Sequence, residues 1–395
     1  MKFIMPSVDT AIPDAASTAN APGVSGRAPG PASWQRARAA EVVPLGWWER
    51  LNITLARARR WEFWPSWLYY GPIVVWILWL GVKHRRMTAF TAANPGLEAG
   101  GMVGEKKHQA LAPLQSNAPN LAATFILIAP GTTQSRILAA DAFAQMHQLP
   151  IVLKPDVGQR GRGVYIARSR EDIASYLGTF EGAVIAQRYV HGEEFGVFVA
   201  RHPGQFNASV LSVVHKTFPT VTGNGISTLR DLILHDARAR LISALMFERW
   251  AAQLADVPAL GEVVTLVEIG AHCRGSLFLD GSEYLTDALV ATLTRLMDAV
   301  PGYAFGRIDL RVSNLADFQQ GIGLQVLELN GVSAESAHIY HPGTPLLDGY
   351  RAMFRQWETA FSIGAAYARA GVPTTSALTL LRLLREDIAR AESWF

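Results

Sequence analysis

Two strand-like segments near the C-terminus place polar side chains in otherwise apolar sequence. Asp309 interrupts one apolar run, and Glu328 and Asn330 lie two residues apart at the end of another. Residues two apart in a strand point to the same face of a sheet, so Glu328 and Asn330 share a face. Arg307 and Asp309 are related in the same way. Three converging oxygen-bearing side chains suit Mg²⁺, which prefers hard oxygen ligands and keeps substrate phosphates as further ligands. The guanidinium of Arg307 could neutralise an acyl or phosphoryl oxygen, whereas a solvent-facing salt bridge is the alternative for either segment alone.

A glycine-rich segment lies upstream of these residues. The apolar run that starts at Ile151 ends in Lys154, and three glycines follow, Gly158, Gly161 and Gly163. The pattern predicts a strand, a loop and a second strand. Because glycine has no Cβ, the backbone N–H groups of such a loop can approach phosphates closely, with Lys154 at the loop mouth. An ordinary hairpin turn is the alternative for this segment taken alone.

The elements that must position these residues are helices and strands in mixed order. Many strands occur as hairpin-like pairs, which predicts an α+β architecture. We expect strands near 122–129, 151–154, 164–167, 183–187, 195–199, 209–214, 262–268, 305–312 and 324–329. We expect helices near 135–147, 170–177, 237–252, 286–300, 344–370 and 376–391, and a further helix capped near Ser227.

The bulk composition limits the classes of protein to be considered. The chain has 395 residues, enough for two or three domains, and a net charge of +3, which does not indicate nucleic acid as a partner. Cys273 is the only cysteine, so a disulfide framework and a four-thiolate zinc site are excluded. This cysteine usage is typical of a reducing compartment.

Composition also divides the chain into five predicted regions. Residues 1–40 are rich in Ala, Pro, Ser and Gly and hold too little apolar surface to offset the entropy of ordering, so we expect them to be disordered. The other regions are an amphipathic and hydrophobic arm at 41–86, a loop-rich link at 87–121, a main folded domain at 122–372 and a C-terminal helix at 373–395.

The arm contains a stretch, residues 63–82, without any charged residue. A helix of that length would be about 30 Å long, the thickness of a bilayer core, and its Trp and Tyr residues resemble an interfacial belt. Basic residues flank the stretch on both sides, and Pro65, Gly71 and Pro72 are expected to interrupt the helix. We expect membrane contact, either as a span or as an interfacial hairpin. The alternative is packing of these aromatic side chains on the folded domain.

Together the motifs resemble the ATP-grasp superfamily, and within it the carboxylate–amine ligases such as D-alanine–D-alanine ligase and cyanophycin synthetase. The resemblance extends from about residue 122 to residue 370 and implies an ATP-grasp fold, in which two α+β lobes clasp ATP. It assigns phosphate binding to Lys154, Lys216, Gly158, Gly161 and Gly163, an adenine-binding hinge to Gln187, Arg188, Tyr189 and Val190, ribose binding to Glu194, metal binding to Asp309, Glu328 and Asn330, and transition-state stabilisation to Arg307.

The chain also departs from the family pattern. The hinge begins with Gln187 where many members carry an acid, and the tryptophan-rich arm stands where a substrate-binding subdomain is expected, so the resemblance does not imply the D-alanyl–D-alanine reaction itself. His272 and Arg274 could hold a substrate carboxylate, although a structural turn is the alternative. The second substrate could meet Ser333 and the polar residues that follow it, Glu335, Ser336, His338 and Tyr340.

The function that the resemblance implies is ATP-dependent formation of an amide or peptide bond between a small-molecule carboxylate and an amine. The cofactors would be ATP and Mg²⁺, with two ions expected and Mn²⁺ as an alternative. The catalytic domain would be cytoplasmic and attached through residues 63–82 to the inner face of the cytoplasmic membrane. Two other functions stay open: a phosphotransferase, and a nucleotide-binding membrane scaffold without turnover.

Overall fold

The computed structural model describes residues 35–36, 45–158, 161–272 and 275–392. Residues 1–40, which we expect to be disordered, lie almost wholly outside the described ranges. Arg274, a predicted substrate-binding residue, also lies outside them. The chain forms two compact units. The first consists of residues up to Pro72 together with Thr217–Leu277, and the second of Ile73–Lys216 together with Phe278–Phe395.

Helices and strands occur in mixed order and neighbouring strands pair antiparallel, so the predicted α+β class is confirmed. The helices are α1 Trp47–Ala58, α2 Ser66–Lys83, α3 Lys107–Asn117, α4 Thr133–His147, α5 Arg170–Thr179, α6 Leu229–His235, α7 Ser243–Arg249, α8 Asp287–Ala299, α9 Leu315–Gln320, α10 Leu346–Arg369 and α11 Ala377–Glu392. The strands are β1 Gln35–Arg36, β2 Phe125–Ile128, β3 Ile151–Pro155, β4 Tyr165–Ala167, β5 Val184–Arg188, β6 Glu193–Ala200, β7 Ser209–Thr217, β8 Thr220–Thr222, β9 Asp256–Val257, β10 Val263–Thr265, β11 Leu277–Asp280, β12 Phe305–Val312 and β13 Gln325–Asn330.

A four-stranded sheet in the second unit positions the glycine-rich segment. Its order is β2-β5-β3-β4, and neighbouring strands are antiparallel. Ile151 and Leu153 on one face are buried together with Phe143 of α4 and Ile173 of α5. Because side chains alternate across a strand, Lys154 points to the opposite face. The predicted strand, loop and strand are confirmed as β3, the glycine-rich loop and β4.

A five-stranded sheet in the same unit positions the polar residues of the C-terminal segments. Its order is β11-β7-β6-β12-β13, with antiparallel pairing of β7 with β6, β6 with β12, and β12 with β13. Ile308 and Leu310 of β12 are buried in a core that includes Leu293 of α8. Arg307 and Asp309 alternate with these apolar residues, so they point away from that core.

The predicted link at 87–121 is more ordered than expected. It contains the helix α3, and Leu111 and Leu114 of that helix are buried in the main core of the second unit. Asn94 is fully buried; its side-chain amide donates to the carbonyl oxygens of Gly100 and Phe305, and its oxygen accepts from the backbone N–H of Phe305. A buried polar side chain that is satisfied in this way fixes the neighbouring backbone segments.

The first unit has a small core of its own. Leu229 and Ile233 of α6 pack with Met246 of α7 and with Leu266. Helix α6 is capped by Thr228, whose hydroxyl accepts from the backbone N–H of Asp231, one residue later than predicted. The single helix expected at 237–252 is instead a 3₁₀ turn followed by the short α7.

The arm differs from its predictions in two respects. Pro72 lies inside α2 and does not end it. Among the residues that the structure describes, no helix is both long and apolar enough to cross a bilayer, in contrast to the span that the sequence allowed. The reason lies in the composition of α2: its 18 residues include three tryptophans, two tyrosines, Pro72 and Lys83, which lower its mean hydropathy.

Candidate active site

Strands β12 and β13 bring four of the predicted site residues to one sheet face. The strand register places Asp309 opposite Glu328 and Arg307 opposite Asn330. Side chains directly opposite each other in antiparallel strands lie about 5 Å apart at Cβ, so the four form one group. The Asn330 amide donates to Asp309 Oδ2 over 3.1 Å. The convergence expected from the two-residue spacing is therefore present in the structure.

Asp309 is the buried carboxylate that most of this group contacts. Arg307 Nε donates to its Oδ1 over 3.0 Å, and Lys216 Nζ lies 2.9 Å from the same oxygen. Burial alone would raise the pKa of Asp309, but the positive charges and hydrogen bonds of Arg307 and Lys216 outweigh it and lower the pKa. The carboxylate is thus held in its ionised form, the form that binds a cation.

Lys216 joins Asp309 to a second buried acid, Glu194. Lys216 Nζ lies 3.1 Å from Glu194 Oε1, and the two residues face each other across β6 and β7. Burial opposes the charge on this lysine, but the two carboxylates prevail and raise its pKa. Lys216 is thus held in its charged form between two buried carboxylates.

Arg311 was missed by the sequence analysis. Its Nε donates to Glu194 Oε2 over 3.0 Å, its Nη1 donates to the carbonyl oxygen of Val190 over 2.8 Å, and its guanidinium lies 5.2 Å from the ring centre of Tyr189. It therefore connects the predicted ribose-binding acid to the predicted adenine hinge. The signal in the sequence was its position two residues after Asp309 on the same strand.

Lys154 reaches strand β13 from the four-stranded sheet. Its Nζ donates to the carbonyl oxygen of Leu327 over 2.9 Å and to Gln187 Oε1 over 2.9 Å. Burial lowers the pKa of Lys154 to about 8. Gln187, expected in the adenine hinge, uses its side chain to hold Lys154 and the main chain of β13. Arg188, also expected there, donates to Gln325 Oε1 over 2.5 Å.

The glycine-rich loop has the backbone conformation that glycine favours. Gly161 and Gly163 have φ values of +70° and +67°. A Cβ on Gly163 would lie 2.7 Å from Pro155 Cγ, so this position is closed to larger residues. The hydroxyl of Tyr176 donates to the carbonyl oxygen of Gly163 over 2.7 Å. Residues 159 and 160 lie outside the described part of the loop.

Lys107, at the start of α3, is a second residue that the sequence analysis missed. Its Nζ lies 3.3 Å from Glu328 Oε1 and donates to the carbonyl oxygen of Gly158. Its backbone N–H donates to the carbonyl oxygen of Asp156 over 2.9 Å. One buried lysine thus connects the glycine-rich loop to strand β13, which carries the predicted metal ligands Glu328 and Asn330. The only signal in the sequence was a lysine pair after a cluster of glycines.

The curated proteins that are similar in sequence to this chain include ligases. No protein-family model matches the chain. Cyanophycin synthetase of Geminocystis herdmanii is 37% identical over 101 residues, which are 24% of this chain and 11% of that protein. The glutathione biosynthesis bifunctional protein of Streptococcus agalactiae is 22% identical over 198 residues, which are 45% of this chain and 26% of that protein. The chain spans about a tenth to a quarter of the length of these curated relatives.

The predicted resemblance to ATP-grasp carboxylate–amine ligases is confirmed. Among solved structures, D-alanine–D-alanine ligase from Bacillus anthracis aligns with 69% of this chain and 70% of its own, at 15% identity and a TM-score of 0.39.

The residues predicted to hold a metal ion are two carboxylates, Asp309 and Glu328, and one amide, Asn330. Within the described ranges, no group of three or more His, Cys, Asp or Glu side chains is placed to hold a metal ion. Two carboxylates and an amide nevertheless fit Mg²⁺, which completes its shell with water and substrate phosphates. The donor set therefore suits this ion.

His272 and Ser333, two of the residues suggested for substrate binding, lie in different units. In the first unit, His272 Nε2 lies 3.1 Å from Glu62 Oε2, and Arg238 Nη1 donates to Glu62 Oε1 over 2.7 Å. His272 is thus already engaged with a carboxylate of the arm. In the second unit, the backbone N–H of Ser333 donates to the carbonyl oxygen of Gly101 over 3.2 Å.

Glu335 lies beside the predicted transition-state arginine. Arg307 Nη1 donates to its backbone oxygen over 3.2 Å, and the hydroxyl of Tyr340 donates to its Oε2 over 2.6 Å. Burial raises the pKa of Glu335. Of the polar residues after β13, Glu335 therefore has the clearest link to the group around Asp309.

Glu105 is another acid near the end of β13. Its Oε2 accepts from the backbone N–H of Gly331 over 3.2 Å. Burial raises its pKa to about 8. A carboxyl group with such a pKa is partly protonated at neutral pH, so it adds less negative charge beside Glu328 than an exposed acid would.

Proposed function

We propose that the protein is an ATP-dependent carboxylate–amine ligase that forms an amide or peptide bond through an acyl phosphate. One observation carries the proposal: Asp309, on the face it shares with Glu328 and Asn330, is contacted by both Arg307 and Lys216. A salt bridge that served stability alone would not need two acids, an amide and two cations on one buried sheet face, because burying charges is costly.

The nucleotide would be bound by residues of the second unit. Lys154 and Lys216 would contact phosphate oxygens as point charges, and the backbone of Gly158, Gly161 and Gly163 would close over them. Glu194 would accept from the ribose hydroxyls, and the hinge at residues 187–190 would hold adenine. Lys107 would fix the position of the loop, since it contacts Gly158 and Glu328 at once.

Asp309, Glu328 and Asn330 would hold Mg²⁺, with Mn²⁺ as an alternative. When bound, the ion would offset negative charge on the transferring phosphoryl group. Its binding would compete with the cations that contact these carboxylates, Lys107 at Glu328 and Lys216 at Asp309.

The chemistry would proceed in two steps. A carboxylate oxygen of the acid attacks the γ-phosphorus, the bond to the β-phosphate oxygen breaks, and ADP leaves. The lone pair of the amine then attacks the acyl carbon, and the negative charge that develops on the carbonyl oxygen faces Arg307. Phosphate leaves with the electron pair of the broken C–O bond. The carboxylate of Glu335 would accept the proton that the attacking nitrogen loses, since burial raises its pKa and the backbone oxygen of the same residue contacts Arg307.

The substrates would be a small-molecule carboxylate and a small-molecule amine, and the reaction would take place in the cytoplasm, where ATP is available. No protein nucleophile takes part, so the single cysteine is no obstacle.

The test uses the purified full-length protein with ATP, Mg²⁺ and hydroxylamine. Each protein amino acid, and D-alanine, is offered separately as the acid. We expect ATP-dependent hydroxamate from at least one acid, because hydroxylamine captures an acyl phosphate, and no hydroxamate from the Asp309→Asn variant. A stable phosphorylated product without hydroxamate would instead assign the protein to the phosphotransferases. ATP binding without any turnover across the acid panel would favour the scaffold.

A further inference from the structure

Within the second unit, one side of helix α2 packs on the protein. Ile73 and Leu80 are buried, and the ring of Trp76 lies 5.0 Å from the ring of Phe354 on α10. Trp76 Nε1 also donates to the carbonyl oxygen of Phe354 over 3.1 Å. These contacts fix which side of the helix is turned outward.

The outward side is apolar. Val75, Leu78, Trp79 and Val82 have exposed fractions of 67%, 51%, 46% and 70%. Their spacing is that of a single helix face. A surface helix of a globular protein ordinarily carries polar residues on its outer face, whereas a helix that is apolar all round is covered on every side. A contiguous exposed apolar patch of this kind marks an interaction surface.

Basic residues stand at the end of this face. Lys83, Arg85 and Arg86 are all exposed. Lys83 Nζ lies 5.0 Å from the ring centre of Trp79 and 2.7 Å from Glu358 Oε1. Among the residues that the structure describes, Arg85 and Arg86 form no ion pair within 4.0 Å. Their charge is therefore available to an external partner.

We propose that this face, which we call the α2 outer face (Val75, Leu78, Trp79, Val82, Lys83, Arg85 and Arg86), lies on an anionic lipid surface. A bilayer offers an apolar layer for the first four side chains and negatively charged headgroups for the last three. Tryptophan suits the boundary between the two, since its ring is apolar and its N–H is polar.

A second copy of the chain fits the same face less well. A two-fold contact would place the same patch on both partners, and Arg85 and Arg86 of each copy would then face a patch where Glu358 is already paired with Lys83. The packing of Trp76 on Phe354 keeps the helix against the protein, so only its outer side can enter the interface. The surface is independent of the proposed ligase activity.

The experiment is cosedimentation of the full-length protein with vesicles of phosphatidylcholine alone and with about 30% phosphatidylserine. We expect binding to the anionic vesicles that weakens as salt is raised, because salt screens the attraction of exposed charges. The triple variant Val75→Ser, Leu78→Ser, Val82→Ser should bind about tenfold more weakly or worse, since it removes most of the apolar area. Arg85→Glu with Arg86→Glu should lose the preference for anionic vesicles.

Leu378→Ser, at an exposed apolar position of α11, is the matched control and should bind like the parent protein. Thermal unfolding of every variant should match the parent, because the substituted side chains are exposed. Parent-like binding by the triple variant would overturn the proposal, and so would the absence of binding to anionic vesicles. A dimer in sedimentation velocity that the triple variant abolishes, without vesicle binding, would assign the face to a second copy.

Discussion

Lys216 Nζ lies 2.9 Å from Asp309 Oδ1 and 3.1 Å from Glu194 Oε1, so one buried lysine joins the predicted metal-binding acid to the predicted ribose-binding acid. The three side chains come from three adjacent strands, β7, β6 and β12. Their positions are therefore set by strand register, which is rigid. A nucleotide that touches one of them is brought close to the others.

Replacing Lys154 by alanine should weaken ATP binding by about 1 to 3 kcal/mol, the value of one charge-assisted contact. Because the pKa of Lys154 is lowered to about 8, its charge is present below that pH and is lost above it. ATP affinity of the parent protein should consequently fall as pH rises through about 8. Titration calorimetry across this range measures both effects.

Lys154→Arg is the matched control for that experiment. It retains the charge at all accessible pH values, so the fall in ATP affinity above pH about 8 should disappear. An identical pH dependence in the parent and in Lys154→Ala would show that another group is responsible.

Arg307→Ala should spare ATP affinity and lower turnover by about 10²- to 10³-fold, since Arg307 faces charge that develops only during the reaction. Calorimetry for ATP and a phosphate-release assay measure the two quantities separately. An equal loss of ATP affinity in this variant and in Lys154→Ala would mean that Arg307 binds the nucleotide in its ground state.

Lys107→Ala should raise the KM for ATP and make the glycine-rich loop more susceptible to limited proteolysis, because the side chain that contacts both Gly158 and Glu328 is lost. Lys106, the exposed neighbour in sequence, provides the control variant Lys106→Ala. Parent-like kinetics and cleavage in Lys107→Ala would exclude a positioning role for this lysine.

Glu335→Gln should separate the two halves of the reaction. Hydroxylamine is largely uncharged at neutral pH, so its lone pair can attack without prior deprotonation, and water can accept the proton that its nitrogen then loses. Hydroxamate formation should therefore persist. Amide formation with an ammonium substrate should drop, because the acceptor for its proton is gone. Loss of both activities would indicate that Glu335 supports the structure around Arg307, and retention of both would show that it has no part in the reaction.

The sequence predicted those parts of the site that depend on local periodicity. The two-residue spacing placed Arg307 with Asp309 and Glu328 with Asn330, and the strand register brings the two pairs together. It could not predict Lys107, since the contact of this lysine with Glu328 depends on tertiary packing between residues far apart in the chain.

Other differences have similar causes. The side chain of Gln187 holds Lys154 because β5 lies next to β3, an arrangement that no local pattern specifies. Pro72 does not end α2, since packing on the rest of the protein can outweigh the loss of one backbone hydrogen bond. The buried polar Asn94 shows that the glycine-rich link is part of the fold, although its composition resembles a linker.

The most direct test of the ligase proposal is isotope transfer from the acid to phosphate. The acid found in the hydroxylamine screen is labelled with ¹⁸O in its carboxylate and turned over with ATP and an amine, and the released phosphate is analysed by mass spectrometry. An acyl phosphate requires that one labelled oxygen leaves with the phosphate, because the C–O bond is the one that breaks when the amine attacks. Labelled phosphate is the predicted result, and unlabelled phosphate accompanying amide formation would contradict the account.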